Sequence, residues 1–179
     1  MSTTALLTWE EFEQTPEHPG KQELLRGELL EVPPARARDH EIAEELFLRL
    51  RAAVRSAHER GEAASLGRAR FHLGYKLADR SWLRPDASIT HAGQTAREYM
   101  EGAPAIAIEV VSTDDTPRTL SIKTELYFEF GAREVWRVSR EEGHVVLHAA
   151  GLSPVTIRDF VTTPLLPGFT LNVQEILSV

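Results

Sequence analysis

The sequence predicts an α/β (α+β) domain in which a mixed central sheet is flanked by helices. Three observations support this class: a 42% apolar composition, helical apolar spacing in two segments, and short β-branched runs placed among them. A chain of 179 residues is long enough to bury one substantial core. Because strands and helices intermix along the chain, we expect a layered single domain over residues 1–179.

Each helix is predicted from a start signal or an apolar stripe. The long helix has apolar residues at every fourth position from Ile42 to Val54, which places them on one face. The predicted helices are a short one opened by the capping box of Thr8 and Glu11, a long one from an Asp39 cap to about Arg60, and one over residues 119–130.

The strands are predicted from β-branched runs bounded by Gly and Pro. Residues 22–32 predict an N-terminal hairpin that turns at Arg26 and Gly27. The other predicted strands are residues 69–77, 82–90, 105–112, 134–139 and 144–149, and two short C-terminal segments separated by Pro164 and Pro167–Gly168.

Composition excludes several classes of protein and site. The chain has no cysteine, so disulfides and thiolate metal sites are excluded. Its longest apolar runs are far too short to span a bilayer. The first 30 residues lack a basic start followed by an apolar core, so no signal peptide is predicted. We therefore expect a cytoplasmic protein with no membrane partner.

The net charge of −7 argues against simple electrostatic coating of DNA. The charge is uneven, however, because residues 36–80 contain ten Lys or Arg and only seven Asp or Glu. Two interpretations remain open for the arginines of this segment. They form either a solvated helix face or a patch that faces phosphate groups.

One acidic residue interrupts the most apolar predicted strand. Glu109 lies within AIAIEVV, where an ionised carboxylate is costly unless other groups compensate it. Asp86 follows Pro85 within the preceding predicted strand, and Lys123 shares a face of the following helix with Tyr127. If the two strands are neighbours, the Asp86 and Glu109 carboxylates can meet on one face of the sheet.

Two carboxylates that meet in a low dielectric suggest a divalent cation. Asp86, Glu109 and the backbone carbonyl of Val110 would offer oxygen ligands, which suit Mg²⁺ or Mn²⁺. Lys123 would then stabilise phosphate charge or help to deprotonate water, as in metal-assisted phosphodiester hydrolysis. The alternative is structural: Asp86 caps a turn, and Glu109 and Lys123 form a buried ion pair.

These residues resemble the PD-(D/E)XK nuclease superfamily and, more narrowly, the Uma-two family of restriction-endonuclease-like proteins. His40, near the start of the long helix, also matches that family's histidine. The resemblance covers most of the chain and is carried by four segments: 22–29 (QELLRGEL), 85–88 (PDAS), 108–112 (IEVVS) and 123–136 (KTELYFEFGAREVW).

The resemblance implies a restriction-endonuclease-like core and a Mg²⁺-dependent endonuclease that acts on DNA. It implies a lysine that has migrated to the helix, because the simple E-x-K pattern would put it at Val111. The catalytic set would be Asp86, Glu109 and Lys123, with His40 contacting substrate and Glu23 completing the metal site.

The chain also departs from the family pattern at three positions. Thr113 replaces a proline after the glutamate strand, Thr119 replaces an acid before the lysine, and Ser139 replaces an acid after W-x-V. These departures support an alternative in which a nuclease-fold protein binds nucleic acid or protein without cutting.

We also expect a homodimer. An acidic chain that grips a polyanion would gain from presenting two arginine-containing surfaces together, and two-fold dimers are the commonest soluble oligomers.

Overall fold

The computed structural model describes residues 6–179, so the first five residues of the predicted domain lie outside it. Its helices are α1 (Trp9–Glu13), α2 (Ala37–Glu59), α3 (Pro117–Glu129) and α4 (Val173–Leu177). Its strands are β1 (Lys21–Leu25), β2 (Glu28–Val32), β3 (Leu66–Phe71), β4 (Tyr75–Ala78), β5 (Ser81–Leu83), β6 (Ala87–His91), β7 (Met100–Glu101), β8 (Ile106–Val111), β9 (Glu134–Ser139), β10 (His144–Ala149), β11 (Val155–Ile157), β12 (Phe160–Val161) and β13 (Leu171–Asn172).

The strands form two main sheets that share no ladder. A six-stranded sheet has the order β11-β10-β9-β8-β6-β3, and a five-stranded sheet has the order β2-β1-β5-β4-β7. Both sheets are mixed, because β8 is parallel to β9 and β4 is parallel to β7 while their other pairs are antiparallel. A third, two-stranded sheet joins β12 to β13.

Two apolar cores lie on opposite faces of β8. Ile106, Ile108 and Val110 pack into the larger core, which also contains the buried stripe of α2. Ala107 points the other way and packs with Tyr75 and Tyr127. This alternation is the period of two expected of a strand buried on both faces, and it puts Glu109 on the side of α3.

The predicted hairpin is present as β1 and β2, and its turn is at Arg26 and Gly27. Both residues have positive φ, 53° and 93°. This is the backbone that a two-residue hairpin turn requires.

Two of the predicted strands are each divided in the structure. Residues 69–77 are divided between β3 and β4. At His72, which has φ 47°, the chain passes from the six-stranded sheet to the five-stranded sheet. A Cβ on Gly74 would lie 1.9 Å from the Trp82 ring, so a side chain does not fit there. Residues 82–90 belong to β5 and β6, which are separated by Pro85, a residue without an N–H to donate to a ladder.

The capping box of Thr8 and Glu11 opens α1 as predicted, but the starts of α2 and α3 differ from the sequence predictions. The N-cap of α2 is Arg36, with no side-chain hydrogen bond, and Asp39 lies in the first turn, where a negative charge favours the helix dipole. The N-cap of α3 is Thr116, whose hydroxyl accepts from the N–H of Thr119. The short strands β7 and β11 and the helix α4 were not predicted. None of the helices in residues 6–179 is both long and apolar enough to cross a membrane.

A pair of leucines on α2 tests how far the larger core depends on that helix. Leu46 is fully buried, whereas Leu48 is 48% exposed. Leu46→Ala should lower the free energy of unfolding by about 2–5 kcal/mol, because it removes buried methyl groups and leaves a cavity. Leu48→Ala is the matched control and should change it by less than about 0.5 kcal/mol. Urea denaturation gives both values, and equal losses would contradict the packing described here.

Candidate active site

Asp86 is fixed between the ends of two neighbouring strands. It immediately precedes β6, which pairs antiparallel with β8 through Ala87 and Ile108. The Asp86 N–H donates to the Ile108 carbonyl at 3.0 Å, and the Val110 N–H donates to Asp86 Oδ2 at 2.7 Å. The expected neighbourhood of Asp86 and Glu109 is therefore present, with Asp86 held at the strand end rather than within a strand.

Glu109 is buried, and both of its oxygens accept hydrogen bonds from α3. Tyr127 Oη donates to Oε1 at 2.6 Å, and Lys123 Nζ donates to Oε2 at 2.5 Å. Burial alone would raise the pKa of Glu109, but the nearby Lys123 and Lys21 ammonium groups outweigh it and lower that pKa. The carboxylate is therefore ionised at neutral pH.

Lys123 lies behind Glu109, between two carboxylates. Its Nζ is 3.1 Å from Glu23 Oε2, and the other Glu23 oxygen accepts from the Arg84 N–H at 2.8 Å. Burial would lower the pKa of Lys123, but Glu109 and Glu23 together raise it. Lys123 is thus a charged residue of the interior, and it does not line the neighbouring cavity.

A second lysine, which the sequence analysis missed, faces the same carboxylates. Lys21 Nζ lies 3.5 Å from Asp86 Oδ1, 3.6 Å from Glu109 Oε2 and 3.8 Å from Glu23 Oε1. Burial would lower the pKa of Lys21, but these carboxylates raise it well above its usual value. The sequence did contain a signal, because Lys21 and Glu23 are two residues apart on one strand and so share a face.

The cluster opens into a cavity of about 310 Å³. Lys21, Asp86 and Glu109 form part of its wall, and His40 and His72 also line it. The two imidazole centroids are 5.5 Å apart. Burial lowers the pKa of His72, so its ring is neutral at pH 7. His40 thus lines the same cavity as Asp86 and Glu109, whereas Glu23 and Lys123 do not line it.

The side chains at this cavity fit a Mg²⁺ or Mn²⁺ ion that keeps several waters. Asp86 and Glu109 supply hard oxygen donors, and Mg²⁺ is commonly bound by only one or two carboxylates. Among residues 6–179, no three His, Asp or Glu side chains converge as a closed metal cage. Glu23 accordingly points toward Arg84 and Lys123 instead of joining the other two carboxylates.

The family of the chain follows from a match that spans nearly all of it. A family model described as "Uma2: Putative restriction endonuclease" matches residues 9–174. The chain belongs to the Uma2 family. The resemblance of the PDAS, IEVVS and KTELYFEFGAREVW segments to this family is thereby confirmed.

A solved structure gives the fold of this Uma2 chain independently. The crystal structure of a protein from Anabaena variabilis, described as a "putative nuclease belonging to DUF820", aligns with a TM-score of 0.81 at 18% identity. The alignment covers 96% of this chain and 98% of that one, so the predicted restriction-endonuclease-like α/β fold is confirmed.

Other comparisons add little. A cryo-EM structure of a DrdV–DNA complex aligns at 17% identity over 67% of this chain and 12% of that chain, with a TM-score of only 0.35. No curated protein matches the sequence.

The tyrosine beside Glu109 provides a test of the cluster. Tyr127→Phe removes one hydrogen-bond donor to a buried carboxylate and keeps the aromatic ring. It should therefore lower the free energy of unfolding by about 1.5–3 kcal/mol. Tyr99→Phe is the control, because Tyr99 packs against Trp9 and Trp82 outside the cluster and should change stability little. Chemical denaturation in metal-free buffer measures both. Equal effects would mean that Glu109 does not depend on the Tyr127 hydroxyl.

Proposed function

We propose that this protein is a metal-dependent endonuclease that hydrolyses phosphodiester bonds in DNA. One observation supports this most: the carboxylates of Asp86 and Glu109 meet a cavity-facing ammonium, that of Lys21, at the wall of a single cavity. Membership of a family described as restriction endonucleases agrees with it.

Asp86, Glu109 and the carbonyl of Val110 would hold Mg²⁺ or Mn²⁺ in this proposal. The bound ion would supply Lewis-acid charge to the phosphate. Asp86 is suited to the task because Val110 fixes one of its oxygens at 2.7 Å and so limits rotation of the carboxylate. Glu109 is suited because Lys123 and Tyr127 keep it ionised and fixed in orientation.

The two lysines take different roles in the proposed reaction. The sequence alone suggested Lys123 for the phosphate, but Lys123 is buried behind Glu109 and would act by positioning that carboxylate. Lys21 lines the cavity beside both proposed metal ligands, so it is the cation that a phosphate bound to the metal would meet. His40 and His72 line the same cavity and would donate hydrogen bonds to the same group. A fixed cation of this kind stabilises charge that develops at the scissile phosphate.

Cleavage of supercoiled and single-stranded DNA tests the proposal directly. Wild-type protein should cut in Mg²⁺ or Mn²⁺ and stop in EDTA. Asp86→Asn and Glu109→Gln should abolish cutting, because each removes a ligand charge. Asp114→Asn is the matched control, since Asp114 is an exposed carboxylate at the cavity mouth outside the cluster and should retain the wild-type rate. Metal-independent cutting, or equal loss in the control, would refute the assignment.

Lys21→Met separates metal binding from hydrolysis. The ammonium lies against both proposed metal ligands, so a divalent ion must overcome its repulsion or displace it. Removing that charge should tighten Mn²⁺ binding by about tenfold or more, because unit charges a few ångströms apart interact by several kcal/mol in a protein site. Calorimetric titration measures this affinity.

The same variant should cut DNA about 10²–10³ times more slowly, because the fixed cation near the phosphate is gone. Lys76→Met, at a lysine whose Nζ lies 4.7 Å from the centre of the Trp9 ring and which does not line the cavity, is the control for both measurements. Unchanged Mn²⁺ affinity in Lys21→Met would show that Lys21 and the ion do not share a site.

A non-cutting binding protein is the second candidate function. One observation favours it: the ammonium groups of Lys21 and Lys123 already offset two of the three carboxylate charges, so the cluster holds together without any divalent ion. DNA binding that persists with no cleavage in any metal would favour this function.

The homodimer also remains a prediction, which light scattering at micromolar protein would test.

A further inference from the structure

A second groove, of about 730 Å³, lies between α2 and the edge strand β3. Its wall carries four arginines, two from the helix and two from the strand: Arg51, Arg55, Arg68 and Arg70. Glu59 is the acidic residue in the same wall. The groove is therefore a region of positive charge on a chain whose net charge is −7.

The charge of this groove is largely uncompensated. Within residues 6–179, Arg51, Arg68 and Arg70 have no carboxylate within 4.0 Å, whereas Arg55 pairs with Glu59 at 3.0 Å. Of the thirteen arginines of residues 6–179 that lie outside this wall, six have a carboxylate within 4.0 Å: Arg26, Arg49, Arg60, Arg97, Arg118 and Arg140. The groove is distinguished by having three arginines without such a partner in one wall. Unpaired guanidinium groups side by side repel one another, so a partner with negative charge would stabilise them.

One of these arginines also has an unsatisfied buried donor. Arg70 Nε is inaccessible to solvent and has no hydrogen-bond partner among the described residues. Such a group carries a desolvation cost, and the few that occur in native proteins need an explanation. Because Nε is inaccessible in this conformation, an oxygen-rich ligand in the groove would supply the missing acceptor only after the Arg70 side chain turns toward it.

Contacts among aromatic rings connect the wall of the groove to the wall of the cavity that contains Asp86 and Glu109. Phe47 and Phe71 line the groove, and His40 and His72 line the cavity. The Phe71 ring lies 5.4 Å from Phe47, 5.5 Å from His40 and is stacked on His72 at 4.0 Å between centroids. Four rings thus form an unbroken set of contacts from one site to the other.

The strand register gives the same connection through the backbone. Arg70 pairs with Ser88 and Phe71 with Ala87, the first residue of β6, and the residue immediately before it is Asp86. The His72 N–H donates to the Asp86 carbonyl at 3.1 Å. A chain that entered along Arg68 and Arg70 would arrive at the Asp86 end of the cavity.

Charged side chains on an edge strand can also serve to prevent pairing with another chain. That role would account for Arg68, which is exposed. It would not account for the buried donor of Arg70, the unpaired Arg51 on the facing helix, or the aromatic connection to the cavity.

We propose that this groove binds the sugar–phosphate backbone of a DNA strand and directs it to the cavity. Arginines that contact phosphates and rings that stack on bases are the two components of sequence-tolerant strand binding. The direction of the strand rests on the proposed nuclease function, but binding in the groove does not require cleavage.

The test is fluorescence anisotropy with labelled single-stranded and duplex DNA in EDTA, so that no cutting occurs. The groove variant Arg51→Glu/Arg68→Glu should bind about tenfold or more weakly than wild type. Its slope of log affinity against log salt should fall by about 1.4–1.8, because roughly 0.7–0.9 is lost per phosphate contact. The control Arg97→Glu/Arg118→Glu has the same change in net charge at two exposed arginines outside the groove, and it should bind like wild type.

Arg70→Met tests the buried donor separately. Its Nε has no partner to lose, so the thermal midpoint should be unchanged or higher while DNA binding weakens several-fold. A lower midpoint with unchanged DNA binding would show a purely structural Arg70 and would count against the groove.

The outcomes distinguish this inference from the nuclease proposal. Weaker binding by the groove variant alone supports the groove, even if the wild type never cuts. Equal losses in groove and control variants, or no DNA binding by the wild type, overturn it. Cutting by the wild type together with unaffected binding by the groove variant overturns the groove and leaves the nuclease proposal intact.

Discussion

The structure around the cavity depends on keeping the buried carboxylate of Glu109 ionised. Three parts of the chain meet to do so: β1 contributes Lys21, α3 contributes Lys123 and Tyr127, and β8 contributes Glu109 itself. Because β1 and β8 belong to different sheets, these ion pairs are also a physical link between the two sheets. Removing one member of a buried ion pair leaves an uncompensated charge, which typically costs about 3–5 kcal/mol. The cluster is therefore part of the tertiary structure as well as of the candidate site.

Lys21 and Lys123 differ in how firmly the ion pairs of this cluster hold their ammonium groups. Lys123 is enclosed between Glu109 and Glu23, so its charge is used inside the protein. Lys21 is the more accessible of the two and is held only at ion-pair distances of 3.5–3.8 Å, apart from its hydrogen bond to the Arg84 carbonyl. A cation held in this way can change partners at modest cost, whereas one held as Lys123 is cannot.

Much of the fold and site could be predicted from the sequence, because the signals involved are local. The stripe of α2, the turn at Arg26 and Gly27, and the alternation of β8 each follow from residues close together in the chain. The neighbourhood of Asp86 and Glu109 followed from strand order. The division of residues 69–77 between two sheets did not, since the alternating apolar residues of ARFHLGYKL give no sign that Trp82 packs onto Gly74.

The position of Lys21 beside Asp86 and Glu109 could not be predicted from the sequence, for a related reason. Its partners Asp86 and Glu109 come from strands far along the chain, and only the meeting of the two sheets brings them together. The difference between Lys21 and Lys123 is likewise one of depth, which depends on how α3 packs against β8. A sequence motif gives the order of residues along the chain, but it does not show which side chains reach a cavity.

The structural role of Glu109 and Lys123, beside the catalytic one proposed for them, bears on how such a protein can change over evolutionary time. Residues that maintain the interior are retained by selection for folding, whether or not any chemistry is still selected. If a lineage of such chains ceased to need cutting, purifying selection for folding would still preserve Glu109, Lys123 and Tyr127. The side chains nearer solvent, Lys21 and Asp86, would be the first to drift. Divergence of the protein would therefore begin at the cavity wall and reach the buried ion pair last.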